Sequence, residues 1–236
     1  MTGPAPLVLA VAQPPCVPYD VAANAVTHAE VVRRAGARVV VFPELSLTGY
    51  ELDAPTLAAD DPRLAPLVEA CAEAGSVALV GAPVSGEAGR AHIGMLAVDG
   101  TGAMVAYHKM WLGGAEPDRF TPGNKPAVLD VDGWRLGLAV CKDTGVAQHA
   151  ADTAALRIDA YVAGILETAD EMGRQDDRAR RVIADHHVWV ALASFAGSTG
   201  GGYADAAGRS SIWTPDGEVT ARAGTGTGAV VQATLG

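Results

Sequence analysis

The chain has 236 residues, 49% of them hydrophobic and 19% charged, with 28 Gly and 14 Pro. That much apolar material excludes a disordered chain, a collagen and a disulfide knot, and the length suits one domain spanning residues 1–236. A formal net charge of −10, from 17 Lys+Arg against 27 Asp+Glu with no basic cluster, argues against nucleic acid or an anionic membrane as partner.

Residues 7–12 predict a buried strand, a continuous apolar run bounded by proline. Asp20 caps a helix with Val21, Ala25, Ala29 and Val32 at helical spacing, and Gly36 stops it. Residues 38–42 predict a second strand, β-branched and without alternation, as in a sheet covered on both faces. Asp61-Pro62 opens a second helix with Leu64, Leu67, Val68 and Cys71 on one face, closed by Gly75. A third strand follows at 77–81. Two hairpins come next: 92–98 with 103–108 around Asp99-Gly100-Thr101-Gly102, and 127–131 with 134–140 around Asp132-Gly133. Thr144 caps a helix running to about residue 157, 160–163 is a strand, and about 170–186 a charged amphipathic helix with a solvated face. A strand at 188–193 leads into a glycine-rich loop, 197–202. Residues 209–213 and 218–222 pair across Pro215-Asp216-Gly217, and 229–232 closes the chain. Helices alternating with strands, interrupted by hairpins, predict an α/β layered sandwich with a mixed sheet.

The three cysteines, Cys16, Cys71 and Cys141, are sparse and odd in number, which suits a reducing compartment and gives no zinc spacing. The first 13 residues lack Lys and Arg, and no apolar run reaches the ~18 residues of a membrane span. The expectation is a cytoplasmic protein without a membrane partner. Only three of the 17 basic residues are lysines: Lys109, Lys125 and Lys142. In so arginine-rich a chain, lysine is kept where a group able to lose its proton or to fit a narrow space is needed, or it stands there by chance.

Three polar residues end apolar runs: Glu44 after 39–42, Lys109 after 103–107 and Cys141 after 136–140. Sites in α/β sheets form at the carboxyl ends of strands. A thiol with a pKa of ~8.5 is mostly protonated at neutral pH, and a neighbouring Lys or a helix N-terminus after Thr144 favours its thiolate. A carboxylate can take the thiol proton and deliver it to a leaving amine, and the ammonium can stabilise an oxyanion. Position alone leaves two readings of Cys141 open, nucleophile or small apolar residue, and Glu44 could be a solvated strand end. Cys71, on the apolar face of a helix, reads as core; Cys16 reads as incidental.

The segment Val41-Phe42-Pro43-Glu44-Leu45-Ser46-Leu47-Thr48-Gly49-Tyr50 resembles the glutamate motif of the nitrilase, or carbon–nitrogen hydrolase, superfamily. Tyr107-His108-Lys109, followed by Glu116-Pro117-Asp118-Arg119-Phe120-Thr121-Pro122-Gly123, is similar to its lysine segment, and Gly137-Leu138-Ala139-Val140-Cys141-Lys142-Asp143 to its nucleophile strand. Gln13, Asn24, the stretch 208–212 and the stretch 214–219 match as well. The resemblance implies a four-layer α-β-β-α sandwich. It carries over Glu44 as general base, Lys109 as oxyanion stabiliser and Cys141 as nucleophile, with Glu116 orienting the Lys or the substrate. It implies no metal and no organic cofactor, and a homodimer or larger assembly.

The implied reaction is thiolate attack on a small carboxamide or N-carbamoyl compound, loss of ammonia or amine, and hydrolysis of the thioester. An amidase ranks above a true nitrilase because Asp143 follows Cys141 with one residue between, as in many amidase branches. The alternatives are an acyl or amide transferase on the same fold, and a catalytically silent binding protein. A Cys-His-Glu glutamine amidotransferase is disfavoured, since no glycine elbow surrounds Cys141. The chain departs from the family pattern at 142–146, at Leu166-Glu167-Thr168 and at Ser194. Tyr50, Lys142, Asp143, Thr144 and Glu167 are therefore the candidate substrate contacts. Lys142 and Glu167 read as pocket walls for a polar or charged substrate, as solvated charges, or as partners of each other. Tyr50 lines the pocket or packs under the glutamate loop. Residues 224–228 are no dinucleotide fingerprint, 197–200 no hydrolase elbow, and His149, His186 and His187 no zinc motif.

Overall fold

The computed structural model describes residues 4–86 and 89–236. Its strands are β1 (Leu7–Gln13), β2 (Val39–Val41), β3 (Val77–Ser85), β4 (Ala91–Asp99), β5 (Gly102–His108), β6 (Ala127–Val131), β7 (Trp134–Val140), β8 (Ala160–Ile165), β9 (Trp189–Ser194), β10 (Ala196–Gly197), β11 (Ala206–Ala207), β12 (Ser211–Trp213), β13 (Val219–Arg222) and β14 (Ala229–Leu235). The helices are α1 (Val21–Ala35), α2 (Ala65–Ala74), α3 (Ala147–Ala154) and α4 (Gly173–His186), joined by short 3-10 turns.

Two six-stranded mixed sheets form, in the orders β14-β1-β2-β3-β4-β5 and β13-β12-β9-β8-β7-β6. In the first, β1, β2 and β3 are parallel; in the second, β7, β8 and β9 are parallel. Antiparallel hairpins flank each parallel core. The layers follow from where the apolar side chains go. One cluster, with Val11, Val41, Leu79, Leu138 and Val162, lies between the sheets. A second packs α1 and α2 on the outer face of the first sheet through Ala25, Ala29, Val32, Leu67 and Cys71. A third packs α3 and α4 on the second sheet through Ala150, Ala179, Val182 and Ile183. This is the α-β-β-α sandwich. The central strands are apolar throughout because both of their faces are covered.

Local chemistry sets the ends. Asp20 accepts the Ala23 N–H at 2.9 Å and starts α1, while Gly36 ends it at φ +57. Asp61 accepts the Arg63 N–H ahead of α2, and Gly75 ends that helix at φ +61. Thr144 does not cap a helix. Residues Cys141–Gly145 form a 3-10 turn, α3 starts only at Ala147, and the Thr144 hydroxyl donates back to Cys141 O at 2.7 Å. The last strand is also longer than the sequence predicts, because β14 pairs along the whole of β1, from Leu7 with Leu235 to Gln13 with Ala229.

The glutamate segment passes between the sheets where two glycines make room. A Cβ on Gly164 of β8 would stand 2.5 Å from Phe42 O and 2.8 Å from Glu44 N, and one on Gly81 of β3 would collide with Leu45 N. Only hydrogen at both positions lets residues 43–45 be gripped by both sheets.

Candidate active site

Glu44 leaves β2, Lys109 leaves β5 and Cys141 leaves β7; Lys109 and Cys141 line one cleft of about 340 Å³, and Glu44 lies behind Lys109, in contact with its ammonium. Glu44 is held by its turn: Leu45 and Gly49 adopt left-handed backbone (φ +52 and +66), and Asn24 of α1 donates to Leu47 O at 3.0 Å. His28 of α1 meets Ser46 Oγ at 2.9 Å and stacks on Phe42. Burial drives the His28 pKa down to about 3, so the ring stays neutral.

Lys109 Nζ donates to Glu44 Oε1 at 2.6 Å and to Glu116 Oε1 at 2.7 Å. All three side chains are buried, Lys109 to 1% exposure. Burial alone would discharge the ammonium, but the charges of Glu44 and Glu116 outweigh it and raise the Lys109 pKa above its usual range. Glu116 sits in a 3-10 turn, and its second oxygen accepts the Gly113 N–H at 2.8 Å. Burial and the Glu44 charge push its pKa up, although Lys109 pulls the other way. Glu44 Oε2 is buried without a hydrogen-bond partner.

Cys141 stands at the end of β7 with φ +43, a conformation L-residues rarely adopt, and enters its 3-10 turn directly. Its Sγ donates to Leu166 O at 3.4 Å. Burial and the Glu44 charge push the thiol pKa up, outweighing the pull of Lys109. The resting thiol is therefore neutral, contrary to the sequence-based expectation of a preformed thiolate. The cause is geometric: α3 begins six residues on and does not direct its N-terminus at the sulfur, and Lys109 is already claimed by two carboxylates.

Tyr50, Lys142 and Glu167 line the cleft with these residues. Tyr50 also packs, edge-on to Phe195 and Tyr203. Lys142 and Glu167 are not partners of each other. Lys142 Nζ donates to Leu112 O at 2.6 Å, and Glu167 is bound by Arg178 and, at 3.5 Å, by Arg174. Burial raises the Glu167 pKa to about 7 against the pull of both arginines.

Asp143 and Thr144 are corrections. Neither lines the cleft. Asp143 is fully buried and accepts from Trp111 N at 2.8 Å, Val140 N at 2.9 Å and Tyr107 OH at 2.8 Å. It ties the strand end before the sulfur to the segment carrying Lys109. Burial raises its pKa to about 6 against those hydrogen bonds. Behind it, His149 Nε2 meets Tyr107 OH at 2.9 Å and Nδ1 meets Tyr161 OH at 2.7 Å. Thr144 is turned to the Cys141 carbonyl and to Arg178 and Arg181 of α4.

Sequence reasoning missed Arg174, Arg178, Glu171 and Tyr203, which complete the cleft wall. The stretch read as a solvated helix face turns one edge, Arg174 and Arg178, toward Glu167; their i, i+4 spacing was the available signal. Among the described residues, no group of three or more His, Cys, Asp and Glu is arranged to hold a metal ion, and no helix is long and apolar enough to cross a membrane.

A family model for carbon–nitrogen hydrolases matches residues 8–236. A Pseudomonas protegens protein called "Hydrolase in pqqF 5'region" is 26% identical over 225 residues, covering 92% of this chain and 78% of its own length. Two structures of the amidase from Nesterenkonia sp. AN1 share the fold. An alanine mutant in complex with butyramide superposes with a TM-score of 0.87 at 21% identity, over 97% of this chain and 90% of that one. A glutamine mutant showing Michael addition of acrylamide at the active site cysteine gives 0.86 at 21%, over 98% and 93%.

Proposed function

The chain belongs to the carbon–nitrogen hydrolase family, and from that membership we propose that it cleaves a small carboxamide or N-carbamoyl compound through a Cys141 thioester. One observation carries the reading. Lys109 bridges Glu44 and Glu116 beside the Cys141 thiol, and Glu44 keeps one buried oxygen, Oε2, without a protein hydrogen-bond partner.

The chemistry follows from those protonation states. The neutral thiol gives its proton to Glu44 as sulfur bonds to the amide carbon. The carbonyl π pair moves to oxygen, and the charge is stabilised by the Lys109 ammonium and by the Lys142 N–H, whose first-turn position in a 3-10 helix leaves it without a helical acceptor. The oxyanion collapses, the C–N bond breaks, and Glu44 returns the proton to the leaving nitrogen, so ammonia departs from a neutral thioester. Water enters, Glu44 takes its proton, hydroxide adds to the thioester carbon, and the C–S bond breaks as Glu44 returns the proton to sulfur, which releases the acid and restores the thiol. Glu116 holds Lys109 in place and keeps it charged through the cycle. The butyramide bound by the Nesterenkonia amidase and the acrylamide adduct at that protein's cysteine support a small amide and a reactive sulfur here.

The test is ammonia release from acetamide, butyramide, matched nitriles and N-carbamoyl compounds, with Cys141→Ala as blank. Turnover of an amide or carbamoyl compound, lost in Cys141→Ala, is expected. Turnover retained in that variant, or confined to nitriles, overturns the reading. Added hydroxylamine distinguishes a transferase, for which hydroxamate would replace the free acid.

A further inference from the structure

The two oxyanion donors of the proposed reaction come from different sheets. Lys109 follows β5, the edge strand of the first sheet, and the Lys142 N–H follows β7 of the second. No strand ladder joins those sheets, so backbone pairing does not fix one donor against the other. Asp143 bonds to both sides. Its Oδ2 accepts the Val140 N–H at 2.9 Å, which closes the turn that carries Cys141 and Lys142. The same oxygen accepts the Tyr107 hydroxyl at 2.8 Å, and Oδ1 accepts the Trp111 N–H at 2.8 Å. Tyr107 and Trp111 bracket Lys109, two positions before it and two after. The group is braced from behind: the Tyr107 hydroxyl meets His149 of α3, His149 meets Tyr161 OH of β8, and Trp111 stands edge-on to the His149 ring at 5.5 Å. Asp143, His149 and Tyr161 are fully buried. A carboxylate taken out of water is unfavourable unless its oxygens are filled. Here they are filled by one donor beside Cys141 and two beside Lys109. The turn so closed holds Cys141 at φ +43, a conformation its surroundings must enforce.

We propose that Asp143 is a positioning residue for the oxyanion: by bonding to Val140 on one sheet and to Tyr107 and Trp111 on the other, it sets the Lys142 N–H and the Lys109 ammonium where one carbonyl oxygen meets both. The role rests on the amidase reading of Cys141 and adds to it a residue outside the cleft. Asparagine is the informative replacement. It fills the same space, but its NH2 must face either the Trp111 N–H or the Val140 N–H, so one anchor opens.

The test compares two reactions of Cys141. Ammonia release from acetamide, butyramide and N-carbamoyl compounds builds an oxyanion. Exchange with 4,4′-dithiodipyridine does not: sulfur attacks sulfur, the S–S bond breaks, and the thiol proton leaves with the pyridinethione. Cys141→Ala supplies the blank for Cys16 and Cys71. Asp143→Asn is expected to lower kcat for the amide about 10²-fold, as misplacing one oxyanion donor does, with a smaller change in KM and with thiol exchange within about threefold of wild type. Tyr107→Phe leaves the carboxylate two of its three donors; it is expected to lower kcat about tenfold with exchange again unchanged, and it reads the split should Asp143→Asn fail to fold. A parallel fall in both reactions, which a general loss of structure around Cys141 would give, overturns the positioning role. An unchanged kcat in the folded variant overturns it as well. In both cases wild-type turnover leaves the amidase reading standing. Wild-type protein that releases no ammonia from any of these compounds refutes the amidase reading, and the positioning role with it.

Discussion

Tyr107→Phe removes one oxygen from the centre of the buried Asp143 network. Tyr107 OH donates to Asp143, so His149 Nε2–H must donate to Tyr107, and Nδ1 accepts from Tyr161 OH. Without the hydroxyl, Asp143 keeps only the Trp111 and Val140 N–H groups, and His149 Nε2–H has no acceptor. A hydrogen bond to a charged group contributes roughly 1.5–3 kcal/mol and a stranded donor costs about 1 more, so the variant is expected to lose about 2–4 kcal/mol. The loss depends on pH. Burial already raises the Asp143 pKa to about 6, and the Tyr107 hydrogen bond works against that rise. A carboxyl whose pKa is higher folded than unfolded stabilises the fold fully below about pH 4, and that contribution is lost as pH climbs through the folded value. Removing Tyr107 OH raises the folded value further. The gap between wild type and variant therefore widens from pH 5 to pH 8, by about 1.4 kcal/mol per unit of added shift. Urea unfolding of both proteins at pH 5, 6.5 and 8 measures it. A gap that is constant across this range, or below ~1 kcal/mol at pH 8, refutes the directional network from Tyr161 to Asp143.

Other outcomes follow from the same geometry. Glu116→Gln leaves Lys109 with one carboxylate instead of two; kcat is expected to fall about 10²-fold or more with a smaller change in KM, read by steady-state kinetics on the best amide. Gly164→Ala puts a methyl 2.5 Å from Phe42 O; it should cost roughly 1–3 kcal/mol and lower kcat by displacing Glu44. Gly173→Ala, where a Cβ meets nothing within 4 Å, should change stability by less than ~1 kcal/mol, and urea unfolding of both glycine variants reads the difference. His28, neutral in the fold with a pKa near 3, stabilises the protein above about pH 6.5 and loses that contribution as pH falls toward 3. Wild-type stability should thus drop in acid more steeply than that of His28→Gln, and parallel acid profiles would contradict the assignment.

The apolar runs and their stops were legible in the sequence because each is a local event. Asp20, Gly36, Asp61 and Gly75 sit where the chain turns for reasons contained within four or five residues. The convergence of Glu44, Lys109 and Cys141 followed from strand ends and from the resemblance of their segments. What stayed hidden depends on contacts between distant segments. Asp143 looked like a pocket residue because it lies two positions from the sulfur, yet the tight 3-10 turn points it backward into the hydroxyl and N–H groups of residues 107–111. Arg178 looked like a surface charge because α4 is polar overall, and only the fold sets it against Glu167. The neutral state of the Cys141 thiol is a property of burial and of Lys109 being doubly paired, neither of which has a local signature.

The pairing of β14 with β1 has a bearing on how the chain matures. Residues 7–108 supply five strands of the first sheet in succession, but the sixth arrives from residues 229–235, after the entire second sheet has been made. Until then β1, an almost wholly apolar ribbon, offers a row of bare N–H and C=O groups along one side. Such an edge recruits other chains. Loop closure over more than two hundred residues is also slow to find. During synthesis the nascent first half is thus sticky along the β1 side, and β14 acts as its built-in guard. A chain cut before Ala229 would keep every residue of the cleft and still be expected to precipitate rather than work.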